Sequence, residues 1–339
     1  MSSIDIGIDL GTANTIITVG GKGIVINEPS VVAYDKKKKQ VLAVGEEAYR
    51  MLGRTPEYIV AMKPLADGVI SDNVMAEAMV SEFIRKVSGS MLLKPRIIIC
   101  VPSSVTDVET RAVVEAALSA GARKVFIIEE PIAALLGAGI DISRPNGYMV
   151  VDIGGGTADV AVVSFNGIVK SQSVKVAGNK FDEAIIRFVS QKYKLLIGEK
   201  TAENIKKTIT NVYDPTGSKT MQVKGRHLLK GLPVTMEITD LDAAEAVAEN
   251  VMEIIDNIKS VLEVTPPELI GDIHQNGIIL TGGGALLGGL DKAIAQETRV
   301  RCYVAENALE CVARGVEKAF SLSDDLLDGF EKISLYRYK

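Results

Sequence analysis

Two short stretches place a carboxylate, glycine and threonine where an apolar strand should continue. Residues 6–19 read I-G-I-D-L-G-T-A-N-T-I-I-T-V, and residues 150–165 read V-V-D-I-G-G-G-T-A-D-V-A-V-V-S-F. Asp9 and Asp152 each close an apolar run, and a second apolar run resumes after the glycine turn. Glycine tolerates positive φ and lets another group approach the backbone closely. Successive N–H groups in such a turn make a concavity for an anion. Two carboxylates beside two phosphate-binding turns repel each other and the phosphates, and a divalent cation removes that conflict. Mg2+ suits the role, because it keeps several waters and takes few carboxylates directly. One copy alone reads equally as a tight glycine turn or a β-bulge. Two copies, each opening one half of the chain, point to nucleotide binding.

A third glycine run strengthens that reading. Residues 278–290, I-I-L-T-G-G-G-A-L-L-G-G-L, read as a strand, a glycine turn and a helix start. A helix N-terminus attracts anions, and bare glycine backbone packs against a flat base or ribose. No G-x-x-x-x-G-K-[ST] occurs, so none of these turns is a P-loop. The glycines at 154–156 stand between two strands, which does not fit a dinucleotide fingerprint.

The elements that must hold these turns follow from the apolar pattern. Strands are expected at 4–9, 14–20, 23–26 and 30–34, with the lysine run Lys36–Lys39 as a solvated hairpin tip. A helix follows at 73–88, then a buried parallel strand at 96–101. Helix 106–120 opens on a capping box of Thr106 and Glu109. Strand 124–128 leads to Glu129-Glu130-Pro131, a helix start with proline in its first turn. After Asn146-Gly147 the pattern restarts, with strands over 148–177 and helices at 181–192 and 201–209. A polar, turn-rich stretch is expected from 211 to 233, then a long helix at 240–262. Strand 277–280, helix 286–296, strand 300–304 and helix 308–320 complete a duplicated α/β architecture, not a short-period solenoid.

Composition narrows the class. The 339 residues suggest two domains or one large divided one. Hydrophobic residues at 47% and charged residues at 24% are ordinary for a soluble protein. A net charge of −5 gives no case for nucleic acid as a partner. Cys100, Cys302 and Cys311 are scattered, and with only His227 and His274 they make no zinc spacing. They read as reduced thiols of a cytosolic protein. The start M-S-S-I-D-I-G reads as no signal peptide, and no apolar run spans a bilayer.

The glycine turns resemble those of the actin/Hsp70/sugar-kinase ATPase superfamily. D-L-G-T-A-N-T (9–15) and D-I-G-G-G-T (152–157) look like its two phosphate loops, and L-T-G-G-G-A-L-L (280–287) like its adenosine loop. Within that group the chain is most similar to the MreB family of bacterial actins. Further matching stretches include G-K-G-I-V-I-N-E-P-S-V-V-A (21–33), D-G-V-I-S-D (67–72), I-E-E-P-I-A-A (128–134), F-D-E-A-I-I-R (181–187) and I-G-E-K-T-A-E-N-I-K (197–206). The resemblance covers about residues 4–320. It implies an actin-like ATPase fold, with two duplicated α/β domains flanking a nucleotide cleft and a smaller subdomain on each. Domain I would be 1–145, with IA at 1–31 and 67–145, IB at 32–66, and the C-terminal helix, about 315–330. Domain II would be 146–314, with IIA at 146–180 and 246–314 and IIB at 181–245. Residues 331–339 would be a basic and aromatic tail.

The resemblance also assigns roles. The ligands would be ATP and Mg2+, the metal held by Asp9 and Asp152, largely through water. Thr12, Ala13, Asn14, Gly154, Gly155 and Gly156 would contact phosphates. Glu203 and Lys206, three apart on one helix face, would reach ribose and base. Gly283, Gly284, Ala285 and Leu286 would line the adenosine. Glu130 would position the attacking water, assisted by Thr157; from its sequence position alone, Glu130 reads as a cap of its own helix. Phosphoryl transfer rests mainly on positioning and charge neutralisation, which a carboxylate holding a water provides. One departure stands out: after Thr157 the family usually has Thr-Glu, whereas this chain has Ala158-Asp159. The family's hydrolysis rate is therefore not carried over.

The same resemblance implies a filament of paired antiparallel protofilaments that determines cell shape from the cytoplasmic face of the inner membrane. Its other partners would be membrane lipids and cell-shape or motility proteins, in a walled or a wall-less cell. Met91, Leu92 and Leu93 form an apolar tip that, from the residues alone, reads first as a loop folded on the core; the position matches where relatives insert a loop into the membrane, and the resemblance implies insertion. The tail interleaves Leu335, Tyr336 and Tyr338 with Lys332, Arg337 and Lys339, a pattern suited to an anionic membrane surface. Two other classes remain, a chaperone-type ATPase and a small-metabolite kinase. No β-rich substrate domain supports the first, and no acceptor site with its own base supports the second.

Overall fold

Strands β1 (Asp5–Leu10) and β2 (Asn14–Val19) form an antiparallel hairpin, Asp9 opposite Ile16, around the turn that carries Gly11 and Thr12. The computed structural model describes residues 4–66, 68–88, 94–102, 106–326 and 337–338. The chain divides into two compact units. One comprises Met1–Asn146, Val163–Val169 and Leu309–Lys339, the other Gly147–Val162 and Lys170–Ala308.

In the first unit, β3 (Gly23–Pro29) continues the hairpin. Then come β4 (Val32–Asp35), β5 (Gln40–Val44), α1 (Glu46–Met51), β6 (Ile59–Met62), β7 (Leu65–Ala66), β8 (Val69–Ile70) and α2 (Asn73–Ser88). Strand β9 (Arg96–Val101), α3 (Asp107–Ser119), β10 (Lys124–Glu129) and α4 (Glu130–Gly137) complete the run. β1, β9 and β10 are parallel neighbours. Ile6, Ile8 and Leu10 share one face of β1 and pack with Phe83, Ile97, Ile99 and Ile127. Alternation therefore turns Gly7 and Asp9 to the other face. The capping box at α3 forms as expected, with Glu109 accepting from the Thr106 N–H and Thr106 from that of Glu109.

The second unit repeats the plan. β11 (Tyr148–Ile153) and β12 (Ala158–Ser164) flank the triple-glycine turn, followed by β13 (Gly167–Val174) and α5 (Gly178–Tyr193). Next are β14 (Leu195–Leu196), α6 (Glu199–Thr208), β15 (Thr220–His227), β16 (Pro233–Thr239), α7 (Asp240–Glu263), α8 (Pro267–Asn276), β17 (Ile278–Thr281), α9 (Leu290–Thr298) and β18 (Cys302–Val304). The sheet runs β13-β12-β11-β17-β18. Met149, Val151 and Ile153 meet Ala158, Val160, Val162, Phe181 and Ile258 in its core. Helix α10 (Cys311–Leu326) returns to the first unit and crosses α4 so closely that Gly137 lies on the Cys311 carbonyl and Gly315 on the Ala133 carbonyl.

Three expectations require correction. The stretch 211–233 is not merely turns: β15 pairs with β16 as an antiparallel hairpin, and β14 adds a third strand. Met221 and Val223 alternate with polar residues and face Ile238 and Met236, a period of two that the charged outer face obscures. The third glycine run does not open the helix expected at 286–296. It forms a 3-10 turn, Gly283–Leu286, and α9 begins only at Leu290, because Gly288 and Gly289 (φ 75°) break the chain between them. The terminal stretch is not wholly a tail, since β19 (Arg337–Tyr338) pairs antiparallel with Val125 and Phe126 at the edge of the β10-β9-β1-β2-β3 sheet. The apolar tip Met91, Leu92 and Leu93 lies outside the described residues. No helix among the described residues is long and apolar enough to cross a membrane.

Candidate functional site

In the second unit, Asp152 and Asp159 occupy adjacent strands on the sheet face turned away from the Ile153–Ala158 core. Both are buried. Thr281 lies opposite Asp152 in the parallel register and donates its hydroxyl to Asp152 Oδ1 at 2.6 Å. Burial raises Asp152 to about 6 against that hydrogen bond, and the charge of Asp159 adds to the rise. Burial also raises Asp159, opposed by the Thr157 and Ser173 hydroxyls. Neither hydroxyl reaches hydrogen-bonding geometry, so both buried Asp159 oxygens lack a hydrogen bond among the described residues. A buried carboxylate pair of this kind is the electrostatic setting a cation relieves. The residue that departs from the family pattern thus stands beside the expected metal ligand.

The triple-glycine turn is held from behind by α5. Gly154 N–H closes the turn on the Thr157 carbonyl at 2.9 Å. The Gly154 and Gly155 carbonyls accept from Gly178 and Asn179 at the start of α5, at 3.1 and 2.8 Å. The N–H groups of Gly155 and Gly156 have no backbone acceptor among the described residues, the state an anion loop requires. Lys206 on α6 reaches the same place. Its Nζ donates to the Gly178 carbonyl at 2.9 Å and to Asp182 Oδ2 at 2.9 Å. A side chain on Gly178 would press on the Gly154 carbonyl. Lys206 therefore ties α6 to the start of α5, which holds the triple-glycine turn, a link that spacing alone did not show. Glu203 accepts from Lys207 at 2.6 Å on the exposed side of α6.

The third glycine run packs on the second. Gly282 and Gly284 both lie against Ile153, where a Cβ would overlap that residue. Ala285 faces the core and offers only its backbone, whereas Leu286 is exposed. A 3-10 turn of four residues does not make the helix-terminal anion site expected here, but it keeps its exposed backbone and Leu286 available to a flat group.

In the first unit, Ser30 braces the Asp9 turn. This fully buried serine donates Oγ to the Gly11 carbonyl at 2.5 Å and its N–H to the Ala13 carbonyl at 2.9 Å. The Thr15 hydroxyl lies 2.9 Å from Ser30 Oγ. With the carbonyls turned to Ser30, the N–H groups of Thr12 and Ala13 have no backbone acceptor among the described residues. Thr12 Oγ1 accepts from the Gly68 N–H at 3.3 Å, and Asn14 donates to Asn27 at 3.3 Å. Glu130 is the first residue of α4; the N-cap is Glu129, whose side chain makes no cap hydrogen bond.

The described residues contain no cluster of three or more His, Cys, Asp and Glu side chains able to hold a metal.

The MreB/Mbl protein family model matches residues 3–327. The cell shape-determining protein Mbl of Bacillus subtilis is 52% identical over 316 residues, 93% of this chain and 95% of the relative. The cell shape-determining protein MreB of Escherichia coli is 48% identical over 330 residues, 96% and 95% of the two chains. The crystal structure of MreB5 of Spiroplasma citri bound to ADP superposes with a TM-score of 0.89 at 38% identity, covering 96% of this chain and 99% of that one. The MamK double helical filament matches at a TM-score of 0.80 and 21% identity, covering 94% and 99%, a likeness of fold. The expected actin-like α/β fold is borne out.

Proposed function

The chain belongs to the MreB/Mbl protein family, and on that premise we propose that it is an ATP-binding, filament-forming cytoskeletal protein that determines cell shape. The observation that carries this reading is the pair of matching turns. Each has a buried aspartate and backbone N–H groups freed by carbonyls tied elsewhere. The MreB5 structures bound to ADP and AMPPNP support a nucleotide ligand. Mg2+ would be held by Asp9 and Asp152 through water. It would neutralise phosphate charge, and Asp159 would share its field. Thr12, Ala13, Asn14 and Gly154–Gly156 would take the phosphates. Gly283, Gly284, Ala285 and Leu286 would take the adenosine, with Glu203 and Lys206 toward ribose and base. Glu130, assisted by Thr157, would orient the attacking water.

The proposal includes the four-subdomain division, ATP hydrolysis, and attachment to the inner membrane face through residues 91–93 or the terminal segment. The test of the site is Glu130→Gln in the full-length protein. ATP affinity should change by less than about threefold, while hydrolysis should fall roughly 10²- to 10⁴-fold. Hydrolysis at the wild-type rate would remove Glu130 from the reaction.

A further inference from the structure

Thr281 ends β17 as a fully buried residue, yet it carries a hydroxyl where the strand asks only for an apolar side chain. Ile278 and Leu280 face the core of the second unit. Alternation therefore turns Ile279 and Thr281 to the other face, where Thr281 lies opposite Asp152. A buried hydroxyl costs free energy unless it is hydrogen-bonded. Among the described residues this one makes a single hydrogen bond, donating to Asp152 Oδ1 at 2.6 Å. Valine has the same branched shape and a similar preference for strands. The hydroxyl therefore serves the carboxylate and not the strand.

The two buried carboxylates of this face are held differently. The sheet order places β11 between β12 and β17, so Asp152 has the Asp159 strand on one side and Thr281 on the other. Both Asp159 oxygens lack a hydrogen bond among the described residues, whereas Asp152 has Thr281 as its donor. An ionised carboxylate accepts through both oxygens. The hydroxyl takes Oδ1 and leaves Oδ2 without a protein donor among the described residues. The backbone closes over the same Oδ1. Gly282 N–H donates to the Ala308 carbonyl at 2.9 Å, and a Cβ on Gly282 would lie 3.0 Å from Asp152 Oδ1.

We propose that Thr281 is a positioning residue for the divalent cation of the nucleotide site. It fixes the Asp152 carboxylate with Oδ1 occupied, so that Oδ2 is presented to the water shell of Mg2+. It acts through Asp152 and touches neither nucleotide nor metal. The inference rests on the nucleotide-site reading and adds to it a residue that the glycine turns do not contain. Outer-shell partners that orient a metal-binding carboxylate are worth roughly 10- to 100-fold in metal affinity.

The test is calorimetric titration of full-length wild type, Thr281→Val and Thr281→Ser with AMPPNP, in EDTA and across a Mg2+ series. Thr281→Val should bind AMPPNP in EDTA within about twofold of wild type, while the Mg2+ concentration for half-maximal tightening rises roughly 10- to 100-fold. Thr281→Ser returns the hydroxyl and should restore the wild-type Mg2+ midpoint. A merely structural role gives another pattern, with affinity lowered by the same factor with and without Mg2+ and in step with a lower melting temperature. That pattern, or a wild-type Mg2+ midpoint in Thr281→Val, overturns the proposal. If Thr281→Val does not fold, Thr281→Cys carries the same prediction, because a thiol is a weak donor. Wild-type protein that binds AMPPNP equally with and without Mg2+ also overturns the role of Thr281 and leaves the nucleotide reading standing. Wild-type protein that binds no AMPPNP removes the nucleotide reading and this role with it.

Discussion

Ser30 shows how one side chain sets the chemistry of a turn. Its hydroxyl and N–H take the Gly11 and Ala13 carbonyls, so the turn presents N–H groups on its other side. Ser30→Ala leaves the Gly11 carbonyl without its donor in a fully buried setting. Stability should fall by about 1–3 kcal/mol, read as a lower denaturant midpoint at unchanged slope, and ATP affinity should weaken with it. An unchanged midpoint would mean that the turn holds its shape without Ser30. The sequence displayed Asp9, Asp152 and the glycines clearly, because a carboxylate and glycines inside an apolar run have no bland explanation when they occur twice. It did not display Ser30, Thr281 or the Lys206–Asp182 tie. Their partners lie 19, 129 and 24 residues away, and a lone serine, threonine or lysine carries no local signal.

Elements are held by contacts that titrate or that leave no room. At the start of α7, Thr239 and Asp242 form a capping box, and Asp242 also accepts from Lys192 and Tyr193 at 2.7 and 2.8 Å. Burial pushes the Asp242 carboxyl up, but Lys192, Thr239 and Tyr193 outweigh it and bring it from 3.8 to about 2. A depressed carboxyl stabilises the fold above its unfolded value and loses that contribution as pH falls toward about 2. Asp242→Asn should therefore cost roughly 1–2 kcal/mol at pH 7. It should also flatten the loss of stability between about pH 4 and 2 in pH-resolved thermal melts. Equal pH slopes in both proteins would contradict the assignment. This second box was not read from the sequence, since Asp replaces the usual Glu or Gln at its third position, whereas Thr106–Glu109 carries the expected pair. At α10, Gly315 lies on the Ala133 carbonyl in the helix that begins with Glu130. Gly315→Ala must separate α4 from α10 at a cost of about 1–3 kcal/mol or more. Hydrolysis should fall further than ATP binding, because Glu130 moves with its helix. A variant with wild-type melting and turnover would show that the crossing does not position Glu130. The missed β15–β16 hairpin has a similar cause to the missed box: half of each strand is exposed and polar, and that half dominated the reading.

At the scale of the whole molecule, the duplicated plan was legible because both halves open on the same strand, turn and strand. The family relation and the two matching glycine turns support one central claim of the proposal, that ATP occupancy governs assembly. The direct measurement is sedimentation with electron microscopy of the full-length protein under Mg-ATP, Mg-ADP and no nucleotide, with ATP binding measured on the same preparation. The account predicts filaments that pellet with Mg-ATP and a higher critical concentration without it. Soluble monomers under all three conditions, in protein that binds ATP, would contradict it.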